Sequence, residues 1–383
     1  MTEEKIMKIG FQSCIVDDNL TGLGTYAKNL LHSYAAMNKS DQICEIHYPR
    51  LKHGIQKVRN EAIVPVLPLY LSKVIGIPLA IKKCDMDLMH FPVHRCDDFF
   101  SYYLNAQIKK ILTVHDLIPF IYPREQDFQT RYLWTTSLKL IARKISFIIA
   151  DSENTKNDCI RYLNFPQEKI RVIPLAANNI FRSAPNKEAV TCKVLAKLGI
   201  SVPFIFYTGS LIQRKNIQLL IEVFSKLKAK GYPHKLVIGG TWNPYSRELF
   251  EATVRLGMTG EIIFTGYLPE QELVDFYNAA QVFVYPSMYE GFGIPPLEAM
   301  ACGTPVIASN ISSIPEVVGD AGKLINPCNS KEFEDALEAL ILDEGYRAEL
   351  SKKGIARSGM FSWNRTGKET WNVYEEIMWK GES

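Results

Sequence analysis

Apolar segments that resemble β-strands alternate with helical segments along almost the whole of this chain of 383 residues. This alternation predicts parallel sheets covered by helices, because two parallel strands need a crossover connection that is usually a helix. Seven apolar runs lie in the first half, and a new series of six begins at residue 203. In chain order the runs are KIMKIGFQ, ICEIHY, AIVPVL, DLMHF, KKILTVHD, SFIIAD, IRVIPL, PFIFYTG, HKLVIGG, EIIFTG, VFVYPS, PVIAS and GKLINP. The pattern predicts an α/β protein with two doubly wound parallel-sheet domains.

The expected domain boundary lies in the polar segment 182–199, which we interpret as a linker followed by the first helix of the second domain. A chain of this length suits two domains, because a single hydrophobic core rarely grows beyond about 250 to 300 residues. The predicted domains cover residues 1–185 and 186–360. Residues 361–383 are predicted to form a C-terminal helix.

Charge and composition narrow the class of partner. The formal net charge of +3 at pH 7 is too small to indicate binding to nucleic acid, and no motif for such binding is present. The N-terminus lacks the apolar core of a signal peptide, and no apolar run reaches transmembrane length. The sequence therefore predicts a cytoplasmic protein, with peripheral attachment to the inner face of a membrane as the alternative.

The cysteines are also informative about the compartment. The eight cysteines are scattered, without a C-x-x-C pair, and most lie in apolar runs. We therefore expect buried free thiols, as in a protein of a reducing compartment.

Residues 287–307, SMYEGFGIPPLEAMACGTPVI, are the segment most informative about function. The pattern predicts a buried strand before this segment and a short helix that begins at its proline pair. Gly291 and Gly293 permit a close approach of backbone amides to a phosphate, which the N-terminus of a helix also favours. Glu298, in the predicted first turn, has two interpretations. It complements the helix dipole, or it accepts hydrogen bonds from the hydroxyls of a ribose.

Glu290 and Glu298 match the E-x7-E signature of the retaining, nucleotide-sugar-dependent glycosyltransferases of family 4 (group 1), which the chain resembles over nearly its whole length. Four further segments are similar to that family and follow its order, namely IIADSENTKND, RVIPLAANNIF, TGSLIQRKN and SSIPEVVGDAGKLINP. The resemblance implies the GT-B fold, in which two facing Rossmann-like domains hold the donor in the cleft between them. It also implies that the terminal helix crosses back to the first domain.

Arg214 and Lys215 follow the strand that starts the second domain, where two cations can neutralise a leaving diphosphate. They resemble the arginine–lysine clamp of the family, and solvated surface cations are the alternative. Many family members carry an arginine directly after the strand glycine, where this chain has Ser210, so the guanidinium is expected from Arg214. By the same resemblance, Glu290 orients the hydroxyls of the donor hexose and Glu298 those of the ribose.

Two features of the first domain are expected to reach the donor. Gly22 and Gly24 resemble a glycine-rich loop of the family that lies below the phosphates and sugar of the donor; glycines of a flexible loop without a ligand are the alternative. Their spacing mimics a dinucleotide fingerprint, but the loop between the strand and the first glycine is too long for that turn. His115 ends a strand, and the resemblance implies that it donates to the hexose or the reacting oxygen; the alternative is a core or capping histidine. Asp116 is expected to organise the loop.

Together these arguments define a predicted donor site. Its members are Gly22, Gly24, Ser210, Arg214, Lys215, Tyr267, Leu268, Glu290, Gly291, Phe292, Gly293, Ile294 and Glu298. The catalytic candidates are His115, Arg214, Lys215 and Glu290. The turn at Tyr267 and Leu268 is expected to border the nucleobase, without identifying it.

Three other patterns are given structural interpretations, and no metal ion or cofactor is predicted. Residues 85–87, Asp-Met-Asp, fit a metal motif of another glycosyltransferase fold, but they begin a strand at the edge opposite the ligand side. His90 and His94 are four residues apart, but Pro92 between them excludes a regular helix face. Residues 128–147 mix aromatic and basic side chains; we expect them to pack against the sheet, with a membrane-surface helix as the alternative.

The combined prediction is a metal-independent retaining hexosyltransferase. The expected donor is a UDP-hexose or a GDP-hexose, with UDP-glucose and GDP-mannose as competitors. The expected acceptor is a glycan or a lipid-linked saccharide, in the synthesis of a cell-surface polysaccharide. Two alternatives stay open: a nucleotide-sugar epimerase of the same architecture, and a sugar-nucleotide-binding protein without turnover.

Overall fold

The computed structural model describes residues 7–18, 22–48, 60–65, 75–94, 96–103 and 107–379; within these ranges the side chains of residues 17, 18, 60 and 96–98 are not described. The chain divides into two compact units. The first unit comprises residues 1–175 together with 363–383, and the second comprises residues 176–362. Each unit is built around one parallel β-sheet.

Among the described residues, the first unit has a seven-stranded sheet of order β3-β2-β1-β4-β5-β6-β7, and the second a six-stranded sheet of order β10-β9-β8-β11-β12-β13. The strands are β1 Ile9–Gln12, β2 Ile43–His47, β3 Asn60–Ile63, β4 Leu88–Phe91, β5 Lys109–Val114, β6 Phe147–Ala150, β7 Ile170–Val172, β8 Phe204–Thr208, β9 Lys235–Gly239, β10 Ile262–Gly266, β11 Val282–Tyr285, β12 Val306–Ser309 and β13 Lys323–Ile325. Every pairing between them is parallel.

Each predicted apolar run overlaps one of these strands, which confirms the α/β class with two doubly wound sheets. Strands β4, β6, β11 and β12 are buried along their whole length, as expected of central strands that helices cover on both faces. The run AIVPVL differs in extent, since β3 ends at Ile63. Pro65 follows and has no amide hydrogen to donate to a ladder.

Helices connect the strands in both units. They are α1 Cys14–Asp18, α2 Gly22–Ala36, α3 Ile77–Lys83, α4 Ile118–Ile121, α5 Phe128–Ala142, α6 Glu153–Leu163, α7 Lys187–Leu198, α8 Ile217–Ala229, α9 Pro244–Arg255, α10 Glu270–Ala279, α11 Ile294–Ala301, α12 Ile314–Val318, α13 Ser330–Leu342, α14 Glu344–Ser358 and α15 Trp363–Trp379. Short 3-10 helices lie at Ser40–Gln42, Cys96–Tyr103, Gln167–Lys169, Gln213–Lys215 and Gly319–Ala321.

The terminal helix α15 belongs to the first unit, where it packs on α2. The Ser33 hydroxyl donates to the Trp363 carbonyl over 2.9 Å, and the Thr366 hydroxyl donates to the Pro174 carbonyl over 2.7 Å. A Cβ atom at Gly367 would lie only 2.4 Å from the Ser33 Cβ, so a glycine is required for the two helices to approach this closely.

The division between the units falls after residue 175, whereas the sequence analysis set it after residue 185. The intervening segment is held by α10. Phe181 contacts the edge of Tyr277, the amide of Ala184 donates to the Asn278 side chain over 2.7 Å, and that side chain donates to the Arg182 carbonyl over 3.1 Å. Helix α7, which begins at Lys187, follows this docked segment.

The prediction of buried free thiols is correct for only part of the cysteines. Cys14, Cys159 and Cys302 are buried and free, whereas Cys192 and Cys328 are free but exposed. Cys44 and Cys84 form a disulfide, which contradicts the prediction. These two residues are 40 positions apart, and the packing of α3 on β2 brings their Cα atoms to 6.5 Å. The Cys96 side chain lies outside the described part of the chain.

Candidate functional site

Most predicted residues of the second unit follow the carboxyl ends of β8 and β11, while Tyr267 and Leu268 follow β10. Strands β8 and β11 are neighbours in the sheet, although β9 and β10 separate them in the chain. The strand order therefore reverses between them, which is where ligands of doubly wound sheets bind. The loop after β8 ends in the 3-10 helix Gln213–Lys215, and the loop after β11 runs to the start of α11.

Arg214, Lys215 and Glu290 form one buried cluster at this point. The Lys215 ammonium donates to the Glu290 carboxylate over 2.5 Å and to the Tyr285 hydroxyl over 2.8 Å. The Arg214 guanidinium donates to the Tyr289 carbonyl and lies 3.7 Å from the same Glu290 oxygen. Arg214 and Lys215 are only 7% and 8% exposed, so the alternative of solvated surface cations does not hold.

The charges of this cluster determine its ionisation. Burial raises the pKa of Glu290, but the neighbouring charges of Lys215 and Arg214 outweigh burial and bring the pKa below its ordinary value. Glu290 is therefore ionised at neutral pH. Two cations and one carboxylate leave the cluster with one net positive charge, which can attract a further anion.

The turn between β11 and α11 is a tight one. Gly293 has φ of 120°, a conformation open to glycine, and a Cβ atom there would lie 2.8 Å from the Ile314 side chain. Helix α11 begins directly after it, at Ile294, with prolines in its first turn. The predicted succession of strand, turn and helix N-terminus is therefore present in the structure.

Glu298 lies deeper in α11 than the sequence analysis expected. The helix begins at Ile294, one residue before the proline pair, so its first turn contains no acidic residue. The interpretation that Glu298 complements the helix dipole is therefore wrong, because that effect is confined to the first turn. The Tyr277 hydroxyl donates to a carboxyl oxygen of Glu298 over 3.0 Å, and burial raises the pKa of Glu298 to about 8.

The remaining predicted positions of the second unit differ in exposure. Tyr267 is 72% exposed after β10, whereas Leu268 is buried. Leu268 packs beside Gly239, where a Cβ atom would lie 3.2 Å from its methyl group. Ser210 is exposed, and its carbonyl accepts a hydrogen bond from the Tyr207 hydroxyl over 3.2 Å.

In the first unit, His115 has hydrogen-bond partners at both ring nitrogens. Nδ1 lies 2.6 Å from the Asp151 carboxylate and Nε2 lies 2.9 Å from the Pro92 carbonyl. Burial lowers the pKa of His115, but the charge and hydrogen bond of Asp151 outweigh it, and the pKa is raised. The ring also stands edge-on to Tyr26, with centroids 4.7 Å apart. For His115 to donate to a sugar, Nε2 would have to leave the Pro92 carbonyl.

The glycine-rich segment is helical rather than a loop at its described end. Helix α2 begins at Gly22, so both Gly22 and Gly24 lie in its first turn, with Gly24 buried. Residues 19–21, which precede it, lie outside the described residues. Asp116 accepts a hydrogen bond from the Ile118 amide over 3.0 Å, which agrees with the expected role in organising the loop.

The aspartates and histidines for which the sequence analysis rejected metal binding have hydrogen-bond partners within the protein. Asp85 accepts from the Lys8 side chain over 2.5 Å, and Asp87 accepts from the Lys8 amide over 2.9 Å. His90 binds the Tyr374 and Thr113 hydroxyls, and His94 lies 3.3 Å from the Ser137 hydroxyl. Within the described ranges, no three histidine, cysteine, aspartate or glutamate side chains group as metal ligands would.

Several residues of the site were missed by the sequence analysis. Tyr285 and Tyr277 hold Lys215 and Glu298, and Asp151 holds His115. Tyr285 lies in a strand run, where an aromatic residue signals only burial. Asp151 follows β6 at its carboxyl end, a position that could have identified it.

Two protein-family models match the chain. Residues 20–178 match the model described as Glycosyltransferase Family 4, and residues 196–357 match the model described as Glycosyl transferases group 1. The two matches cover most of both units.

Curated relatives extend this similarity over nearly the whole chain. The chain is 30% identical over 393 residues to O-antigen chain mannosyltransferase B of Escherichia coli, an alignment that covers 96% of this chain and all of that protein. It is also 31% identical over 274 residues to the serotype-specific mannosyltransferase WbdA of Escherichia coli. That alignment covers 68% of this chain but only 33% of WbdA.

Solved structures of low sequence identity have a similar fold. Sucrose-phosphate synthase of Thermosynechococcus elongatus superposes with a TM-score of 0.77 at 21% identity, covering 97% of this chain and 99% of that one. HepE of Anabaena, in complex with UDP and glucose, gives a TM-score of 0.74 at 17% identity, covering 96% and 99%. Likenesses at these identities show the fold alone.

Proposed function

Because the chain belongs to the group 1 glycosyltransferases of family 4, which have the GT-B fold, we propose that it moves a hexose, with retention, from a nucleoside-diphosphate sugar to a glycan or lipid-linked acceptor. The observation that carries the proposal is the buried cluster of Arg214, Lys215 and Glu290 at the sheet's switch point. Its surplus positive charge suits a diphosphate, and its carboxylate suits sugar hydroxyls.

In the proposed step, the bond between the anomeric carbon and the departing phosphate oxygen breaks. The acceptor hydroxyl oxygen forms a bond to the same carbon on the same face, and its proton passes to the leaving phosphate. No side chain then has to act as the base. Arg214, Lys215 and the turn at Gly291–Gly293 stabilise the charge on the leaving diphosphate, so the reaction is proposed to need no divalent ion.

The proposed roles of the other residues rest on the resemblance to the family. Glu290 orients the donor hexose, and Glu298 accepts from the ribose. Tyr267 borders the nucleobase, and its exposure leaves the ring open for stacking. His115 acts on the hexose only if Nε2 exchanges the Pro92 carbonyl for a sugar hydroxyl.

Mannose is the hexose we favour, since O-antigen chain mannosyltransferase B of Escherichia coli is a relative whose full length the alignment covers. The donor is then GDP-mannose, and UDP-glucose is the competitor to test against it. The same relative acts on an O-antigen chain, which supports a role in the synthesis of a cell-surface polysaccharide.

A lipid-linked acceptor would bring the protein to the inner face of a membrane, and helix α5 supports peripheral attachment. Its C-terminal part packs through Leu138 and Ile141, as expected, but Phe128, Tyr132 and Leu133 are exposed. Near its end, Lys139, Arg143 and Lys169 border a cavity of about 470 Å³. Exposed aromatic side chains in the first part of α5 and basic side chains near its end suit an anionic bilayer. No helix among the described residues is long and apolar enough to span a membrane.

Attachment can be tested by flotation with vesicles that contain phosphatidylglycerol. Replacing Phe128, Tyr132 and Leu133 by serine should abolish co-flotation. Phe250→Ser, which alters an exposed aromatic residue of the second unit, is the control and should leave it unchanged. Equal flotation of both proteins would contradict attachment through α5.

The experiment that tests the function is thermal unfolding with GDP, UDP, ADP and their hexose conjugates, with EDTA or magnesium, followed by a transfer assay. Ligands that bind only the native state raise the unfolding midpoint. We expect one nucleotide series to raise it in EDTA, and the cognate donor to support transfer. The epimerase alternative predicts an altered hexose without an acceptor, and the binding-protein alternative predicts a shift without any product. A protein that responds to none of these ligands would contradict the proposal.

A further inference from the structure

Ser312 has a backbone conformation that is unfavourable for its residue type. Its φ is +61°, in the left-handed region, where the other described non-glycine residues are all asparagines: Asn38, Asn164 and Asn216. A serine there costs free energy relative to the usual conformations, and such residues cluster at functional sites. Ser312 lies between β12 and α12, outside the predicted donor site.

The Ser312 hydroxyl holds the backbone of Glu290 from both sides. It accepts a hydrogen bond from the Glu290 amide over 2.9 Å and donates to the Glu290 carbonyl over 2.6 Å. Both polar groups of this peptide backbone are thus held by one side chain.

The residues that follow Ser312 continue the contact along the same turn. The Ser313 hydroxyl lies 2.9 Å from the Glu290 carbonyl and 2.7 Å from the Phe292 carbonyl. Ile314 fills the space beside Gly293, where a Cβ atom would clash with it. Three successive residues therefore contact the turn that carries Glu290.

We propose that Ser312 is a positioning residue that fixes the Glu290 carboxylate against the donor hexose, an inference that rests on the proposed function. Lys215 and Arg214 hold the far end of the Glu290 side chain, and Ser312 holds its backbone end. When a donor diphosphate engages the two cations, Ser312 still determines where the carboxylate lies. Its effect should therefore fall on the hexose and not on the nucleoside diphosphate.

Ser312→Gly removes the hydroxyl but keeps the left-handed backbone conformation, because glycine adopts positive φ without strain. We expect kcat to fall by about 10- to 100-fold, as for a reacting group held slightly out of place. The affinity for the free nucleoside diphosphate should change less than about twofold. In the unaltered protein we expect the intact donor to bind more tightly than the free nucleoside diphosphate, because of its hexose. In the variant this difference in affinity should be lost.

Ser312→Asn is the conservative variant, because asparagine tolerates the left-handed region and has a side chain that both donates and accepts. It should recover part of the lost kcat. Ser225→Ala is the matched control, since Ser225 also donates to a backbone carbonyl, that of Glu222, but in α8. Its kinetic constants should equal those of the unaltered protein. If the glycine variant fails to fold, the kcat and the two affinities of Ser312→Asn are compared with those of Ser225→Ala instead.

The outcomes separate this inference from the proposed function. If the unaltered protein transfers hexose but Ser312→Gly matches the Ser225→Ala control, Ser312 is no positioning residue. Equal losses of affinity for the free diphosphate and for the intact donor would show general damage to the site and overturn the inference as well. If the unaltered protein neither binds nor transfers in the ligand panel, the proposed function itself fails.

Discussion

Lys215 donates a hydrogen bond of 2.5 Å to the carboxylate of Glu290, a residue 75 positions later in the chain. The contact is possible because β8 and β11 are adjacent in the sheet. Lys215 lies beyond the carboxyl end of β8, and Glu290 lies beyond that of β11. The contact couples two proposed roles, because the lysine proposed to bind the diphosphate also helps to keep ionised the carboxylate that is proposed to orient the hexose.

Lys215→Ala should lower the rate of transfer by about 10²- to 10³-fold, the loss typical when one preorganised group that stabilises a leaving charge is removed. The variant also leaves Arg214 as the remaining cation beside Glu290, so the pKa of Glu290 should rise. Transfer assays with the cognate donor measure the loss. Lys331→Ala, which removes an exposed lysine of α13, should retain full activity. A Lys215→Ala enzyme of unchanged rate would contradict the phosphate role.

The raised pKa of Glu298 predicts that the free energy of unfolding falls as the pH rises. The folded state holds a proton on this carboxyl up to about pH 8, whereas the unfolded chain releases it near its ordinary pKa of 4.5. The contribution is therefore complete below pH 4.5 and is lost as the pH rises through about 8. The slope is at most about 1.4 kcal/mol per pH unit.

Glu298→Gln should remove this slope, because a glutamine does not titrate. Urea unfolding across this pH range measures it. Glu344→Gln, at an exposed position in α14, serves as the control and should follow the unaltered protein. If Glu298→Gln also follows the unaltered protein, the carboxyl is ionised in the folded state.

The pair of His115 and Asp151 predicts a pH dependence in acid solution. Because the folded pKa of His115 is raised above its ordinary 6.5, its protonation stabilises the fold fully below pH 6.5, and this is lost as the pH rises through the folded pKa. Asp151→Asn removes the counter-ion. We expect its deficit in unfolding free energy to be larger at about pH 5.5 than at about pH 9. Asp158→Asn, in helix α6, is the control, and a deficit independent of pH would contradict a charged pair.

Gly367→Ala should destabilise the first unit, because the added Cβ atom would lie 2.4 Å from the Ser33 Cβ. The helices α2 and α15 would have to separate, with a loss of about 1 to 3 kcal/mol, as for overpacking elsewhere. Gly359→Ala is the matched control, since its Cβ atom would meet nothing closer than 3.5 Å. Thermal unfolding compares the two, and equal midpoints would contradict the close packing of α15 on α2.

Parts of the site could not be predicted because they depend on contacts across the chain. The start of α11 at Ile294 moves Glu298 out of the first turn, and the sequence signal for a helix start carries an error of this size. The Cys44–Cys84 disulfide depends on the packing of α3 on β2. The second partner of His115, the Pro92 carbonyl, belongs to a loop that no local pattern connects to it.

The amino-acid sequence by itself determined the strands, their parallel arrangement in two sheets, and the positions of Arg214, Lys215, Glu290 and His115 beyond strand ends. These follow from local periodicity and from the rule that loops beyond parallel strands meet at one edge. The tertiary structure alone decided which side chains pair, which pKa values shift, and that Ser312 holds Glu290. Pairing and burial depend on distances between segments far apart in the chain, and those distances are set only when the sheets and helices pack.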